Sequence, residues 1–375
     1  MFKLKKTNLL AELIKAYFFV ITKVLKGKKV VCLDIYEKGY IEHVVDFLSI
    51  LNEISQVSII LTTQDCYLKD LKILSLRHKL ISFRILKILY GISLFITPQV
   101  NLKNPPGSYS IHIFHNQPVK YLSFPPQLLK LINEHFVWGN FMEFWVKKML
   151  ISHKINGKIS RIGSPRHDKE IFNRKPEKNL SYTLNEKIFT IGYAPSWDPN
   201  LSLRSNGLKI IKTIAALEKV SIFIRLHPCS LLSRENIDFN FYTGGINWHR
   251  EISNMKIPNL SFHQEESTIE YINSIDLLIT DISSISYEAF LSNKPVIFYE
   301  IPKYWETRKD LYETYRYSDN AEDYKEIRNN PNLNGGREAG LVANSLEELK
   351  QHILKIYNGD DKCSQLRQNM VKNLL

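Results

Sequence analysis

The sequence predicts an α/β protein of two Rossmann-like domains with a cleft between them. Three observations lead there. Short apolar runs of strand length alternate with stretches of helical periodicity along most of the chain. The alternation lapses between residues 158 and 188 and then starts again. With 375 residues, surface scaling buries about three quarters of the unfolded area, enough for two ordinary cores.

The elements follow in order. Residues 1–29 hold eight Lys and one acid, Glu12, so 8 − 1 = +7 of the chain's net +12 sits in this short piece. Leu10, Leu13, Ile14, Tyr17, Ile21, Val24 and Leu25 recur at helical spacing, with Lys15, Lys23 and Lys26 on the other side. Such a basic amphipathic helix suits an anionic membrane surface; the plainer alternative is a helix packed on its own domain. Strands are expected at 29–34, 57–62 and 110–114, with a helix over 41–54. Together they make a domain over 30–165. The second series has strands at 187–193, 220–226, 260–262, 276–280 and 295–299. Its helices are expected over 208–217, 268–274 and 284–292, within a domain over 185–358. A final helix over 359–375 is expected to pack back on the N-terminal domain. Helices between strands imply right-handed crossovers and parallel sheets.

Composition removes several classes. The uncharged run Ile88–Leu102 is 15 residues and contains Pro98, short of the roughly 20 apolar residues of a spanning helix. No signal-peptide pattern is present, because Glu12 and Lys15 break the apolar stretch. Cys32, Cys66, Cys229 and Cys363 are too few and scattered for a disulfide framework or a metal site. A reducing cytoplasm fits them. The excess positive charge is concentrated at the N-terminus rather than interleaved with aromatics, so nucleic acid is not an expected partner.

In open parallel sheets, ligands sit beyond the C-terminal strand ends, and those positions are polar here. They are Arg225-Leu226-His227-Pro228, Thr280-Asp281-Ile282-Ser283-Ser284 with Glu288 following, Ala194-Pro195-Ser196-Trp197, and His115-Asn116-Gln117-Pro118 with Lys120. Hydroxyls and free N–H groups at a helix start, as at Ser283-Ser284, suit a diphosphate; plain N-capping is the simpler use. Arg225 and His227 can complement phosphate. No paired acids stand at a strand end to hold a metal; Asp360-Asp361 reads as surface charge.

Taken in order, Phe114–Lys120, Gly163-Ser164-Pro165-Arg166-His167-Asp168, Tyr193–Trp197, Arg225–Pro228, Thr280–Ser284 with Glu288, and Lys294–Tyr299 resemble the CDP-glycerol glycerophosphotransferases of teichoic acid synthesis. The likeness covers roughly residues 110–350. Asn116 and His167 stand where that family usually has Gly and Asn. The resemblance implies a GT-B fold, transfer of glycerol phosphate or a related polyol phosphate from a CDP-activated donor, and release of CMP. The implied acceptor is a lipid-linked glycan or polyol-phosphate polymer at the cytoplasmic face of the membrane. It makes His115 the base and His227 a donor-phosphate ligand or acid. It places Arg225, Thr280, Asp281, Ser283, Ser284, Glu288, Pro195 and Ser196 around the donor, and Lys120, Arg166 and Asp168 toward acceptor or phosphate. No cofactor or metal is expected. A GT-B glycosyltransferase using a UDP- or CMP-sugar in capsule or surface polysaccharide synthesis, or a related sugar-nucleotide 2-epimerase, would use the same cleft. Gly335–Gly340 resembles the family's glycine-bearing segment before the last helix, or is a surface turn.

Overall fold

The computed structural model describes residues 6–36, 40–63, 78–99, 104–114, 126–168, 188–197, 200–301 and 336–374. These fall into two compact units that divide between Arg166 and His167.

The first unit is a seven-stranded parallel sheet. In chain order its strands are β1 (Lys29–Tyr36), β2 (Val57–Thr63), β3 (Lys79–Ser82), β4 (Leu94–Thr97), β5 (Tyr109–His112), β6 (Glu134–Val137) and β7 (Lys158–Arg161). They lie side by side as β3-β2-β1-β4-β5-β6-β7, the doubly wound order that reverses between β1 and β4. The sequence reading found β1, β2 and β5. It read past β7, which lies inside the patternless 158–188 stretch. That strand is a polar edge strand paired on one side only, to β6. A charged edge strand carries little apolar signal.

The N-terminal segment does not stand apart. Helix α1 (Lys6–Leu25) buries Ala16 and Val20 in one core cluster with Val30, Cys32, Ile60, Ile81 and Phe95, with Leu13 and Tyr17 packed against it. The expected single stripe is therefore split. Leu13 and Tyr17 turn to the core, while Leu10, Ile14, Ile21, Val24 and Leu25 stay exposed beside Phe18, itself 73% exposed. Helix α2 (Ile41–Asn52) covers the sheet with Val44 and Leu48.

The β5–β6 end of this sheet holds buried imidazoles. His135 is fully buried, 5.7 Å from His112 and 6.0 Å from Phe114 between ring centroids. Among the described residues neither of its ring nitrogens finds a hydrogen-bond partner, and burial pushes its pKa down to about 4. An unfolded chain binds that proton near pH 6.5, so the unfolded state gains protons first as pH falls. Stability is full above about pH 6.5 and declines toward pH 4, by on the order of 3 kcal/mol for the whole window. The expected result is a urea midpoint that drops between pH 7 and pH 4.5 and drops markedly less in His135→Phe. Parallel declines in both proteins would remove His135 as the cause.

The second unit is a six-stranded parallel sheet of β8 (Phe189–Tyr193), β9 (Val220–Ile224), β10 (Leu260–Phe262), β11 (Leu277–Thr280), β12 (Val296–Tyr299) and β13 (Leu341–Ala343). Its order, β10-β9-β8-β11-β12-β13, repeats the winding of the first unit. The reversal falls between β8 and β11, paired at Ile191↔Leu277 through Tyr193↔Ile279. Two Rossmann-like units are the parts of a GT-B fold. Continuous apolar strands such as Leu277-Leu-Ile-Thr280, buried at every position, mark sheets covered on both faces.

One expectation changes here. Helix α3 (Ser202–Ala215) begins six residues before the predicted 208, for a reason that appears in the site below. The C-terminal helix α4 (Ser364–Leu374) packs against the helix Ile285–Leu291 within its own unit. Arg367 anchors it. The side chain is 1% exposed, pairs with Asp361, and donates from Nε to Asn293 Oδ1 at 3.3 Å.

Candidate functional site

The order reversal between β8 and β11 separates the loops that leave these two strands, and ligands of doubly wound sheets bind in such a crevice. One loop is Ala194-Pro195-Ser196-Trp197 after β8; the other is Asp281-Ile282-Ser283-Ser284 after β11.

Asp281 ties them together. Its Oδ1 accepts the Ser196 N–H at 2.9 Å, and its Oδ2 accepts the Ser202 N–H at 3.1 Å and the Ser202 hydroxyl at 2.6 Å. Thr280 Oγ1 donates to the Ala194 carbonyl at 2.7 Å, and the Ala194 N–H returns to Ile279 O at 3.0 Å. Ser202 also sits 3.0 Å from the Tyr193 phenol, whose pKa is pushed up by burial and by the negative charge of Asp281. These bonds start helix α3 at Ser202. The cap is supplied by a residue 79 positions away, so local periodicity could not place it.

The expected donor contacts differ in burial. Thr280 and Asp281 are fully buried, and Ser196 and Pro195 are buried with them. The side chains of Thr280 and Asp281 are hydrogen-bonded within the crevice wall. Ser283 and Ser284 are half-buried and begin the helix Ile285–Leu291. That helix has seven residues, too short for much of a macrodipole, so anion binding here would rest on hydroxyls and backbone N–H groups.

Arg225 and His227 follow β9 beside the crevice. The Arg225 Nη1 donates to the carbonyls of His263 and Glu266 at 3.0 and 2.9 Å, and its guanidinium lies 5.5 Å from the Tyr271 ring centre. It braces the loop after β10 as well as bordering the site. His227 is exposed, and its Nδ1 accepts the Cys229 N–H at 3.1 Å. The neutral ring therefore carries its proton on Nε2, which becomes a donor. Trp197 lies 6.3 Å from that imidazole and 4.9 Å from Tyr242.

Glu288 belongs to a pair that the sequence reading did not form. Its Oε2 stands 3.6 Å from His167 Nε2, and both side chains are buried. The only sequence signal was His167 as a departure from the resembled pattern. Ser202 carried no such signal, because it works through Asp281, a partner distant in sequence.

Arg166 belongs to the first unit, where Nη1 donates to His43 Nδ1 at 2.9 Å and lies 3.7 Å from Glu42. Asp168 is exposed at the start of the second. His115 and Lys120 lie outside the described residues. Among the described residues no group of three His, Cys, Asp or Glu is placed to hold a metal ion.

Residues 143–321 match the model of the CDP-Glycerol:Poly(glycerophosphate) glycerophosphotransferase family. The match spans just under half of the chain. The match takes in both crevice loops, Arg225, His227 and Glu288. A teichoic acid glycerol-phosphate primase of Bacillus subtilis (strain 168) is 28% identical over 164 residues, 43% of this chain and 38% of the relative. The aligned stretch thus spans well under half of that protein. Two structures of the wall teichoic acid polymerase TagF align with TM-scores of 0.53 and 0.54, each at 13% identity. Each alignment covers 99% of this chain, and 93% and 95% of the other. At that identity the likeness concerns the fold.

Proposed function

We propose that this chain is a transferase of the glycerophosphotransferase family. It moves a glycerol-phosphate or related polyol-phosphate unit from a CDP-activated donor to a hydroxyl of a glycan or polymer acceptor and releases CMP. The family match across both crevice loops carries the reading. The chemistry suits the residues. The acceptor hydroxyl loses a proton as it attacks the β-phosphorus, and His115 takes it. The bond to CMP breaks with negative charge developing on the leaving phosphate. In this reading His227, Arg225 and the Ser283-Ser284 turn are the donors that meet that charge, and the Nδ1 of His227, which accepts the Cys229 N–H, supports it by leaving the proton on Nε2. Incubation with CDP-glycerol, CDP-ribitol, UDP-sugars and CMP-sugars tests it. CMP release from a CDP-polyol is the expected result, whereas UDP release from a nucleotide sugar would replace this reading with the glycosyltransferase one.

We further propose that α1 rests on an anionic membrane surface, where a lipid-linked acceptor would be met. No helix among the described residues is long and apolar enough to cross a membrane. The support is the exposed stripe of Leu10, Ile14, Phe18, Ile21 and Leu25 in a segment of net charge +7. Because Ala16 and Val20 are core residues, removing the helix would damage the unit, and point changes are the better probe. Ile14→Asp with Phe18→Asp should cut sedimentation with phosphatidylglycerol vesicles about tenfold or more, with the melting temperature kept. Unchanged sedimentation would count against the membrane role.

A further inference from the structure

A cavity of about 450 Å³ opens on the second unit between the first half of α3 and the segment 234–251. Ligand sites commonly fall in the range of ~300–1,000 Å³. Arg204, Lys209, Arg234 and Arg250 line it, against one carboxylate, Glu251, so the lining charge is 4 − 1 = +3. Like charges gathered around one opening repel each other, and a multivalent anion relieves that repulsion.

The cavity wall is built rather than loose. Trp248 is buried and its indole N–H donates to Thr243 O at 3.1 Å, while Asn247 Oδ1 accepts the Arg250 N–H at 3.0 Å to cap the helix Trp248–Ser253. Arg204 donates from Nη2 to the Phe241 carbonyl. Its guanidinium passes 3.2 Å from where a Cβ on Gly244 would stand, and Gly244 has φ +70°. Glycine at 244 thus permits both the turn and the close approach of Arg204. A cation fixed in this way loses less freedom on binding an anion.

The cavity also stands near the crevice. The short helix Phe239–Thr243 separates them, with Arg204 bonded to Phe241 on one side and Tyr242 packed on Trp197 on the other. Trp248, the aromatic lining residue, is buried with its N–H already used, a poor platform for a nucleobase. We propose that this basic cavity binds the phosphodiester backbone of the acceptor chain, a second anion site beside the transfer crevice. The identity of the chain rests on the transferase reading; the anion chemistry does not.

The test uses the full chain and a synthetic glycerol-phosphate oligomer, with no nucleotide present. Calorimetry should show binding that weakens with salt. Replacing the exposed Arg234 and Arg250 together by Ala should weaken it about tenfold and flatten the salt dependence, with CDP affinity unchanged. In turnover, KM for a long acceptor should rise while KM for a monomeric acceptor and kcat hold. Lys209→Glu, also at an exposed position, should act in the same direction. Equal oligomer affinity in parent and variants, or no binding by the parent, overturns the proposal. Charge-dependent oligomer binding without CDP-polyol turnover would retain the cavity and sink only the transferase reading.

Discussion

Replacing His115 with alanine is expected to lower transfer by about 10²–10⁴-fold, the usual contribution of a general base, while CDP affinity stays close to that of the parent. His115 directly follows Phe114, which holds φ +41° at the end of the β5 region. A bulky residue in the left-handed region is uncommon and persists only where packing enforces it. Phe114 is 3% exposed, 4.1 Å from the His112 ring and in one cluster with Val137, Trp138 and Val146. The chain is thus held in a costly conformation at the C-terminal edge of a parallel sheet, immediately before an imidazole, the side chain suited to proton transfer near neutral pH. Single-turnover rates with CDP-glycerol, beside calorimetry with CDP, separate the two effects. A rate within about tenfold of the parent excludes the base role. Loss of CDP affinity in proportion would move His115 to the donor side.

What the sequence made legible follows from which interactions are local. Strands buried on both faces, such as Val57–Thr63 and Leu277–Thr280, read as apolar runs and were placed within a residue or two. Strands β3, β6 and β7 each carry Lys, Arg, Glu or His within four residues and were missed. Their membership comes from pairing across the sheet, which no short window contains. The rule that ligands meet parallel strands at their C-terminal ends pointed to Thr280-Asp281 and to Ala194–Trp197. It could not give their depth. The partners of Asp281 lie 85 and 79 residues away, and Glu288 meets His167 across a longer interval still. Residue type and strand position therefore located the crevice. Only the folded contacts separate the groups that border it from those that hold its walls.

Asp281 gives the sharpest test of that separation. Asp281→Ala is expected to destabilise the second unit by about 3–5 kcal/mol and to weaken CDP binding in whatever protein remains folded. The substitution leaves the Ser196 N–H, the Ser202 N–H and the Ser202 hydroxyl without their acceptor in a fully buried place. Each such group costs about 1–3 kcal/mol. It also removes a negative charge that favours the buried guanidinium of Arg337, which burial lowers to about 10 and which pairs with Glu300. Ser202→Ala removes the hydroxyl's bonds to Asp281 and to the buried Tyr193 phenol and should cost about 1–3 kcal/mol. Because the two residues share one hydrogen-bond network, the double variant should lose less than the sum of the singles. Urea unfolding with unchanged slope measures all three. If Asp281→Ala unfolds within about 1 kcal/mol of the parent yet loses CDP, Asp281 reaches the donor directly and the crevice opens one layer deeper than described. If stability and CDP affinity fall together and Ser202→Ala follows in the same direction, Asp281 acts by holding the two strand-end loops at the distance a diphosphate requires.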